Sequence, residues 1–311
     1  MRLNRGFIFL FLVLLSSTLL WAEPRIYSAD FAEPGSVLAL WVEQGPLDAV
    51  SVSLKDPQAR TVSRHEAFLW NSPLDHTPHS VALLGIPSTA LPGRYTLELK
   101  GWKGRTEWHL EKVLTVVEHE YPETVIRLNG RMNALYNDNS ERKKQESREL
   151  WAVLTSFNPD AIYHIGPLTA PLAQGVETSG FGDRRRYVHL DGSESSSVHY
   201  GQDYWQEAGT EVRASGRGRV VLAQDRFITG KTVVVEHLPG VYTLYYHLES
   251  MDVNVGQMVM AGERVGTLGQ TGFATGYHVH WEMRVGSIPV DPKSFLRAPL
   301  LDTTPFLSNM E

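Results

Sequence analysis

Two histidines lie two residues apart near the C-terminal end of the chain, in the segment TGYHVHWEM at residues 275–283. Side chains at positions i and i+2 of a β-strand point to the same face of the sheet. If the segment is extended, His278 and His280 therefore direct two imidazoles at one place. Glu282 follows at the same spacing, and we expect it to be a hydrogen-bond partner of an imidazole or a member of a structural salt bridge.

Candidate partners for this pair lie upstream, in the segment VHYGQDYW. His199 and Asp203 are four residues apart there, a spacing that is common by chance and gains meaning only beside the downstream histidines. Two imidazole nitrogens and one carboxylate make a ligand set that suits zinc, and a catalytic zinc site has three protein ligands and one open position. A structural zinc site usually contains cysteine, and this chain has none.

Two further histidines, His237 and His247, end apolar segments of the same region. The region therefore offers more ligands than a three-ligand site needs. We expect the surplus imidazoles to donate or accept protons, or to stabilise a developing oxyanion, beside the metal. Considered one at a time, His237 and His189 are predicted to be structural residues.

The elements that must position these residues are predicted to be β-strands. Short apolar segments, among them RVVLA, TVVVEHL and VYTLYYHL, alternate with turns from residue 176 onward. Glycines recur every three to six residues between 256 and 276. This stretch lacks the Lys-Ser/Thr pair and the following helix of a phosphate-binding loop, so its glycines indicate tight turns. We assign residues 176–311 to one antiparallel β domain.

Residues 23–118 predict a separate domain of about seven short strands, an immunoglobulin-like β-sandwich. It shows no constellation of reactive residues, so we expect it to be a spacer or a docking module. Residues 119–175 are predicted to connect the two domains. They contain one helical segment that begins at the capping residues 138–140 and ends at Asn158-Pro159.

The N-terminus has the features of an export signal. Arg2 and Arg5 precede an apolar run of 15 residues, and Ala22 is a suitable cleavage residue. The run is shorter than the roughly 20 residues of a membrane-spanning helix, but an uncleaved anchor is the alternative. Removal of residues 1–22 would change the formal net charge from −6 to −8. This charge argues against nucleic acid as a partner, because phosphate binding needs a basic face.

Together these motifs resemble the lysostaphin- and LytM-type zinc metallopeptidases, which cut peptide cross-links of bacterial peptidoglycan. The resemblance covers about residues 176–295 and not the N-terminal 150. Its motifs, which occur in the family's order, are TSGFGDR at 178–184, HYGQD at 199–203, GTEVRA at 209–214, YYHL at 245–248 and HVHWE at 278–282. Of these, HYGQD is similar to the family's H-x-G-x-D. One departure is ATGY at 274–277, where relatives often have Ser-Thr-Gly-Pro; it concerns specificity rather than activity.

The resemblance implies a role for each residue. His199, Asp203 and His280 would bind one Zn²⁺ ion, while His247 and His278 would act as general acid/base and as transition-state stabilisers. The family fold implies a small antiparallel β-sheet with a groove over the metal. Substrates would be peptidoglycan stem peptides or cross-bridges, and the protein would be exported and periplasmic or associated with the cell envelope.

Two other functions stay open. Family members that have lost zinc ligands activate other cell-wall hydrolases, so a non-catalytic peptidoglycan-binding regulator is the first alternative. This chain retains all five positions, which disfavours it. In the second alternative the N-terminal β-sandwich carries the function by binding an envelope protein, as in a scaffold or an adhesin.

Overall fold

The computed structural model describes residues 25–43, 49–71, 78–104 and 106–303 of the 311-residue chain. The segment interpreted as a signal peptide or membrane anchor, residues 1–22, lies outside these ranges. Within them the fold is mainly β, as the sequence predicts. None of the helices in the described ranges is long and apolar enough to cross a membrane.

The N-terminal domain is a β-sandwich, which confirms the sequence prediction. Its strands are β1 (Arg25–Tyr27), β2 (Phe31–Ala32), β3 (Val37–Glu43), β4 (Ala49–Lys55), β5 (Thr61–Glu66), β6 (Phe68–Asn71), β7 (Pro78–Gly85), β8 (Gly93–Lys103) and β9 (Thr106–Val116). They form one sheet in the order β1-β3-β7-β6 and a second in the order β2-β9-β8-β4-β5. Apolar side chains from both sheets, such as Val52, Leu84 and Leu97, are buried between them.

The connector contains one strand and two helices: β10 (Glu123–Arg127), α1 (Gly130–Asn137) and α2 (Glu141–Leu154). The one helix that the sequence predicts is α2, whose start is capped by the side chain of Ser140. The sequence pattern does not predict α1, which is short and begins at a glycine. Its start is fixed by the side chain of Asn129, which accepts a hydrogen bond from the Met132 amide.

The C-terminal domain is built around one large sheet. Its strands are β11 (Val176–Ser179), β12 (Arg184–Val188), β13 (Glu194–Val198), β14 (Gly201–Trp205), β15 (Glu211–Arg213), β16 (Gly218–Arg226), β17 (Gly230–Leu238), β18 (Val241–Met251), β19 (Met258–Val259), β20 (Arg264–Leu268), β21 (Val279–Val285) and β22 (Ile288–Val290), and a 3₁₀ helix spans Pro292–Leu296. The main sheet has the order β11-β14-β21-β18-β17-β16-β19, and β15, β20 and β22 pair at its sides. Strands β12 and β13 form a separate small sheet with β10.

Helix α2 packs on one face of the large sheet. Its apolar residue Leu154 is buried in a cluster with Leu222, Tyr242 and Leu244 of the sheet. Polar contacts hold the other end of the helix, because the Arg226 guanidinium donates to a main-chain carbonyl of α2 at 2.9 Å. Part of the connector is therefore integrated into the C-terminal domain.

The two domains share a core. Trp41, Phe68 and Leu83 of the sandwich are buried in the same cluster as Trp281 and Val285 of the large sheet. Main-chain contacts cross the same boundary, since the Asp291 amide donates to the Gly35 carbonyl at 2.8 Å. Close backbone approach is also required there: Gly240 has φ +70°, and a Cβ at this position would lie 2.1 Å from a His65 ring nitrogen.

We predict that this shared core makes the two domains unfold together. Trp41 is 2% exposed and packs edge-to-face on Trp70, with ring centroids 5.5 Å apart. Replacing it in Trp41→Ala should lower the free energy of unfolding by about 3–5 kcal/mol, as for other buried aromatic residues. Urea denaturation followed by circular dichroism and by tryptophan fluorescence would show one shifted transition.

The control is Leu91→Ala, because Leu91 is 75% exposed and its loss should change stability by less than about 0.5 kcal/mol. Two separate transitions, with only one affected by Trp41→Ala, would contradict a shared core.

Candidate metal centre

Three adjacent strands of the large sheet position the candidate site. Strand β21 lies between β14 and β18, and its register places His280 opposite Asp203 on one side and opposite Tyr246 on the other. His199 lies just before β14, four residues from Asp203. The phenol ring of Tyr246 stacks on the His280 imidazole, with centroids 5.2 Å apart and planes 9° apart. Antiparallel pairing thus converts a long separation in sequence into side-chain contact.

The structure brings the three predicted metal ligands together. Nε2 of His199 lies 3.0 Å from Oδ1 of Asp203 and 2.9 Å from Nδ1 of His280, and that nitrogen lies 2.8 Å from the same Oδ1. All three residues are buried. Ligands bound to zinc at 2.0–2.1 Å in tetrahedral geometry would be separated by about 3.3 Å. The observed separations are only a few tenths of an ångström shorter.

The hydrogen bonds around these imidazoles show that the donor set fits a cation. Nδ1 of His199 lies 2.7 Å from the Gly180 carbonyl, to which it donates, so its Nε2 presents a lone pair to the cluster. Nε2 of His280 lies 3.4 Å from the Glu282 carboxylate, which leaves the Nδ1 lone pair directed at Asp203. Two lone pairs and a carboxylate oxygen at this spacing repel one another unless a positive charge lies between them.

The pKa values reflect the same concentration of negative charge. Burial opposes ionisation of Asp203, but the polar contacts with the His199 and His280 rings outweigh it and hold the pKa of this carboxyl well below its usual range. Burial also disfavours charge on His280, yet the carboxylates of Asp203 and Glu282 raise its pKa to about 9. A buried carboxylate pair thus surrounds His280, and a metal ion would supply the positive charge that both carboxylates favour.

Two arginines support this arrangement, and the sequence motifs identify neither of them. Nη2 of Arg185 donates to Oδ2 of Asp203 at 2.7 Å and so leaves Oδ1 directed at the histidines. Arg284 donates to Glu282, which in turn lies against His280. Glu282 therefore serves both roles that the sequence leaves open. Such outer contacts orient metal ligands and tune their basicity.

Gly201 is required for a packing reason. A Cβ at this position would lie 2.4 Å from the Trp281 carbonyl oxygen and 2.8 Å from Nε2 of His280. Any side chain there would displace the imidazole or the neighbouring strand. The glycine of the HYGQD motif thus makes room for a ligand.

His278 and His247 lie beside the three-ligand cluster. Nε2 of His278 is 3.9 Å from Oδ1 of Asp203, and the ring centroids of His278 and His247 are 4.8 Å apart. Nδ1 of His278 donates to the Gly276 carbonyl and Nδ1 of His247 to the Thr271 carbonyl, both at 2.8 Å. Each neutral ring therefore keeps Nε2 as its proton acceptor.

The electrostatics keep both rings neutral. Burial lowers the pKa of His278, and burial together with the neighbouring His278 lowers the pKa of His247 to about 3. His247 also has a left-handed backbone, with φ 62°. Its amide donates to the Thr229 carbonyl at 2.8 Å, which helps hold this strained conformation. Strain of this kind concentrates at functional sites.

The remaining histidines of the region are placed elsewhere. His237 is buried, and its two ring nitrogens lie 2.9 Å from the Arg217 carbonyl and 2.7 Å from the Thr243 hydroxyl. His189 lies 3.1 Å from the Asn133 amide oxygen. Both are fully engaged in hydrogen bonds away from the cluster, as expected for structural residues.

Two cavities border the cluster. One of about 520 Å³ is lined by His199, His280 and residues of α2, and the other, of about 230 Å³, by Asp203, His278 and Met132 of α1. The rings of His247 and Phe273 border both. Two cavities that meet at the cluster give an extended ligand two places to bind beside it.

Comparison with known proteins finds a family model and several relatives that match this part of the chain. Residues 197–292 match the family model Peptidase family M23. DD-carboxypeptidase/endopeptidase Mpg of Neisseria meningitidis is 40% identical over 97 residues, which are 31% of this chain and 22% of that protein. Peptidoglycan DD-endopeptidase ShyA of Vibrio cholerae is 40% identical over 93 residues, 30% of this chain and 22% of that protein.

A solved structure is similar over a longer range. It is a putative peptidase M23 from Pseudomonas aeruginosa, 26% identical, with a TM-score of 0.59 over 85% of this chain and 94% of that one. The likeness therefore extends beyond the residues that match the family model. The matched part of the chain spans about a fifth of the length of the two curated relatives, 22% in each case.

We predict that Arg185 increases metal affinity through Asp203. In Arg185→Ala the carboxylate loses its charged partner, and the affinity for zinc should fall about 10–100-fold, as for other outer-sphere partners. Competition with a chromophoric chelator would measure this.

Arg186→Ala is the matched control. Arg186 is the next residue of β12, is 40% exposed and pairs with the surface residues Glu123 and Glu194. Equal zinc affinity in both variants and the wild type would show that Arg185 does not position Asp203.

Proposed function

Because residues 197–292 form a peptidase M23 domain of the lysostaphin type, we propose that the chain is a zinc-dependent endopeptidase that cleaves peptide cross-links of bacterial peptidoglycan. The observation that carries the proposal is the convergence of His199, Asp203 and His280 with two neutral imidazoles beside them. The name of one relative, peptidoglycan DD-endopeptidase ShyA, supports the choice of substrate.

In this proposal His199, Asp203 and His280 would hold the metal ion beside the two cavities. Zinc supplies Lewis acidity at such a site, which polarises a carbonyl and favours attack by water near neutral pH. Asp203 contributes the negative charge that retains the ion. Arg185 and Glu282 keep the carboxylate and the imidazole of His280 in orientation.

His278 and His247 would move the proton. Hydrolysis of an amide requires a proton to leave the attacking water and another to reach the departing nitrogen. Both rings are fixed through Nδ1 and offer Nε2, so either can accept the first proton. Once protonated, an imidazolium beside the scissile bond would stabilise negative charge on the carbonyl oxygen and return the proton to the amine.

We further propose that the chain is exported, because its substrate lies outside the cytoplasm and residues 1–22 have the pattern of a signal peptide. We propose that the chain is divided into a β-sandwich at residues 23–118, a connector at 119–175 and a peptidase domain at 176–311. The connector packs against the C-terminal domain. A partner of the sandwich in the cell envelope stays a prediction.

We predict that His280→Ala abolishes both zinc binding and peptidoglycan cleavage. Removal of one of three ligands leaves a carboxylate and one imidazole, too few for a stable site. Residues 23–311 would be purified as one chain. Zinc would be measured by elemental analysis, and soluble muropeptides released from purified peptidoglycan would be quantified by chromatography. His119→Ala, at an exposed position of the connector, should behave as the wild type.

A wild-type chain that binds no zinc and releases no muropeptides would favour the non-catalytic regulator. A fully active His280→Ala variant with an unchanged fold by circular dichroism would remove His280 from the ligand set.

We predict that His278→Ala, unlike His280→Ala, retains zinc while it loses activity. His278 is the more distant ring, 3.9 Å from Asp203, and loss of a general acid/base should reduce kcat about 10²–10⁴-fold. The same two measurements, zinc content and muropeptide release, distinguish this result from loss of the metal. If His278→Ala loses zinc as His280→Ala does, the division of roles between the two histidines is wrong.

A further inference from the structure

Helix α2 supplies a wall of the larger cavity beside the metal centre, although it precedes the residues that match the family model. Residues Lys143, Glu146 and Trp151 of this helix line the 520 Å³ cavity together with His199 and His280. The helix is not loosely placed. The Phe227 amide donates to the Glu146 carboxylate at 2.6 Å, and the apolar face of the helix is buried against the sheet. The wall is thus a fixed part of the groove.

Two large aromatic side chains are exposed in this cavity. Trp151 of α2 is 59% exposed and Tyr200, the residue after the ligand His199, is 38% exposed. Both line the same groove. Flat aromatic faces that line a cavity are common anchors in binding sites.

The charged side chains around the cavity already have partners within the protein. Arg226 donates to a main-chain carbonyl of α2 and to Thr229, and Lys143 donates to the carbonyls of Tyr136 and Asp138. The other charged residues of the lining are likewise engaged; they are Glu146, Arg185, Glu282 and Arg284. Hydroxyl and amide groups of a ligand could share these contacts without breaking them.

We propose that Trp151 and Tyr200 form a subsite for a sugar ring of the substrate. A pyranose is uncharged and has an apolar face that packs on an aromatic ring, while its edge of hydroxyl and acetamido groups matches the engaged polar rim. The inference rests on the proposed function, since peptidoglycan carries N-acetylated sugars next to the peptides that are cut. The peptide would cross the metal centre, and the adjoining sugar would lie against α2.

The test compares two soluble substrates, a cross-linked peptide dimer that retains its disaccharides and the same dimer without sugars. Trp151→Ala should raise KM about three- to tenfold for the first, the size of one aromatic contact. It should leave kcat for that substrate, and both constants for the sugar-free dimer, unchanged. Trp151→Phe, which keeps an aromatic ring, should recover most of the loss. Trp102→Ala is the matched control, because Trp102 is an exposed tryptophan of the sandwich.

An equal increase in KM for both substrates would mean that α2 contacts the peptide, and no change for either would mean that it contacts neither; both results overturn the sugar subsite. If the wild type cleaves neither substrate, the proposed function fails and the subsite is judged by binding alone. Calorimetric titration with an N-acetylglucosamine oligosaccharide should then show binding to the wild type and to Trp102→Ala that is weakened in Trp151→Ala. Absence of binding, or equal binding in all three, would overturn the inference.

Discussion

The buried carboxylate of Asp203 is the constraint on which the rest of the site depends. It lies within 3.0 Å of two imidazole nitrogens, and its other oxygen is held by Arg185 at 2.7 Å. A buried charge is tolerated only where partners compensate it. The neighbouring elements can be understood as providing that compensation: β12 contributes the arginine, the turn before β14 contributes His199, and β21 contributes His280.

The sheet places the two histidines of the H-x-H motif at different distances from Asp203. Pairing of β14 with β21 sets His280 directly opposite Asp203, so its nitrogen is 2.8 Å from the carboxylate, whereas that of His278 is 3.9 Å away. His278 comes just before the paired segment and is fixed by the Gly276 carbonyl instead. Two histidines that lie two positions apart thus differ in their distance from Asp203, because only His280 faces the carboxylate across the ladder.

The connector contributes helices to the surroundings of the candidate site. Helix α1 packs with Tyr187 and Phe273 beside one cavity, and α2 is anchored to the sheet beside the other. The sandwich shares buried tryptophans with the same sheet. The residues that match the family model therefore contain the candidate metal ligands, while segments outside it line the two cavities beside them.

The sequence by itself predicts the kind of site: histidines and an aspartate at H-x-x-x-D and H-x-H spacings, in a β-rich and glycine-rich region, indicate a three-ligand zinc site. The mainly β fold, the sandwich and helix α2 also follow from local patterns. The supporting roles of Arg185 and Tyr246, the pairing of β10 with β12, and the placement of α2 beside the groove did not. These depend on contacts between residues far apart in the chain, and local periodicity carries no information about which strand becomes the neighbour of which. Only the tertiary structure decided which histidine faces Asp203, because the strand register sets that distance.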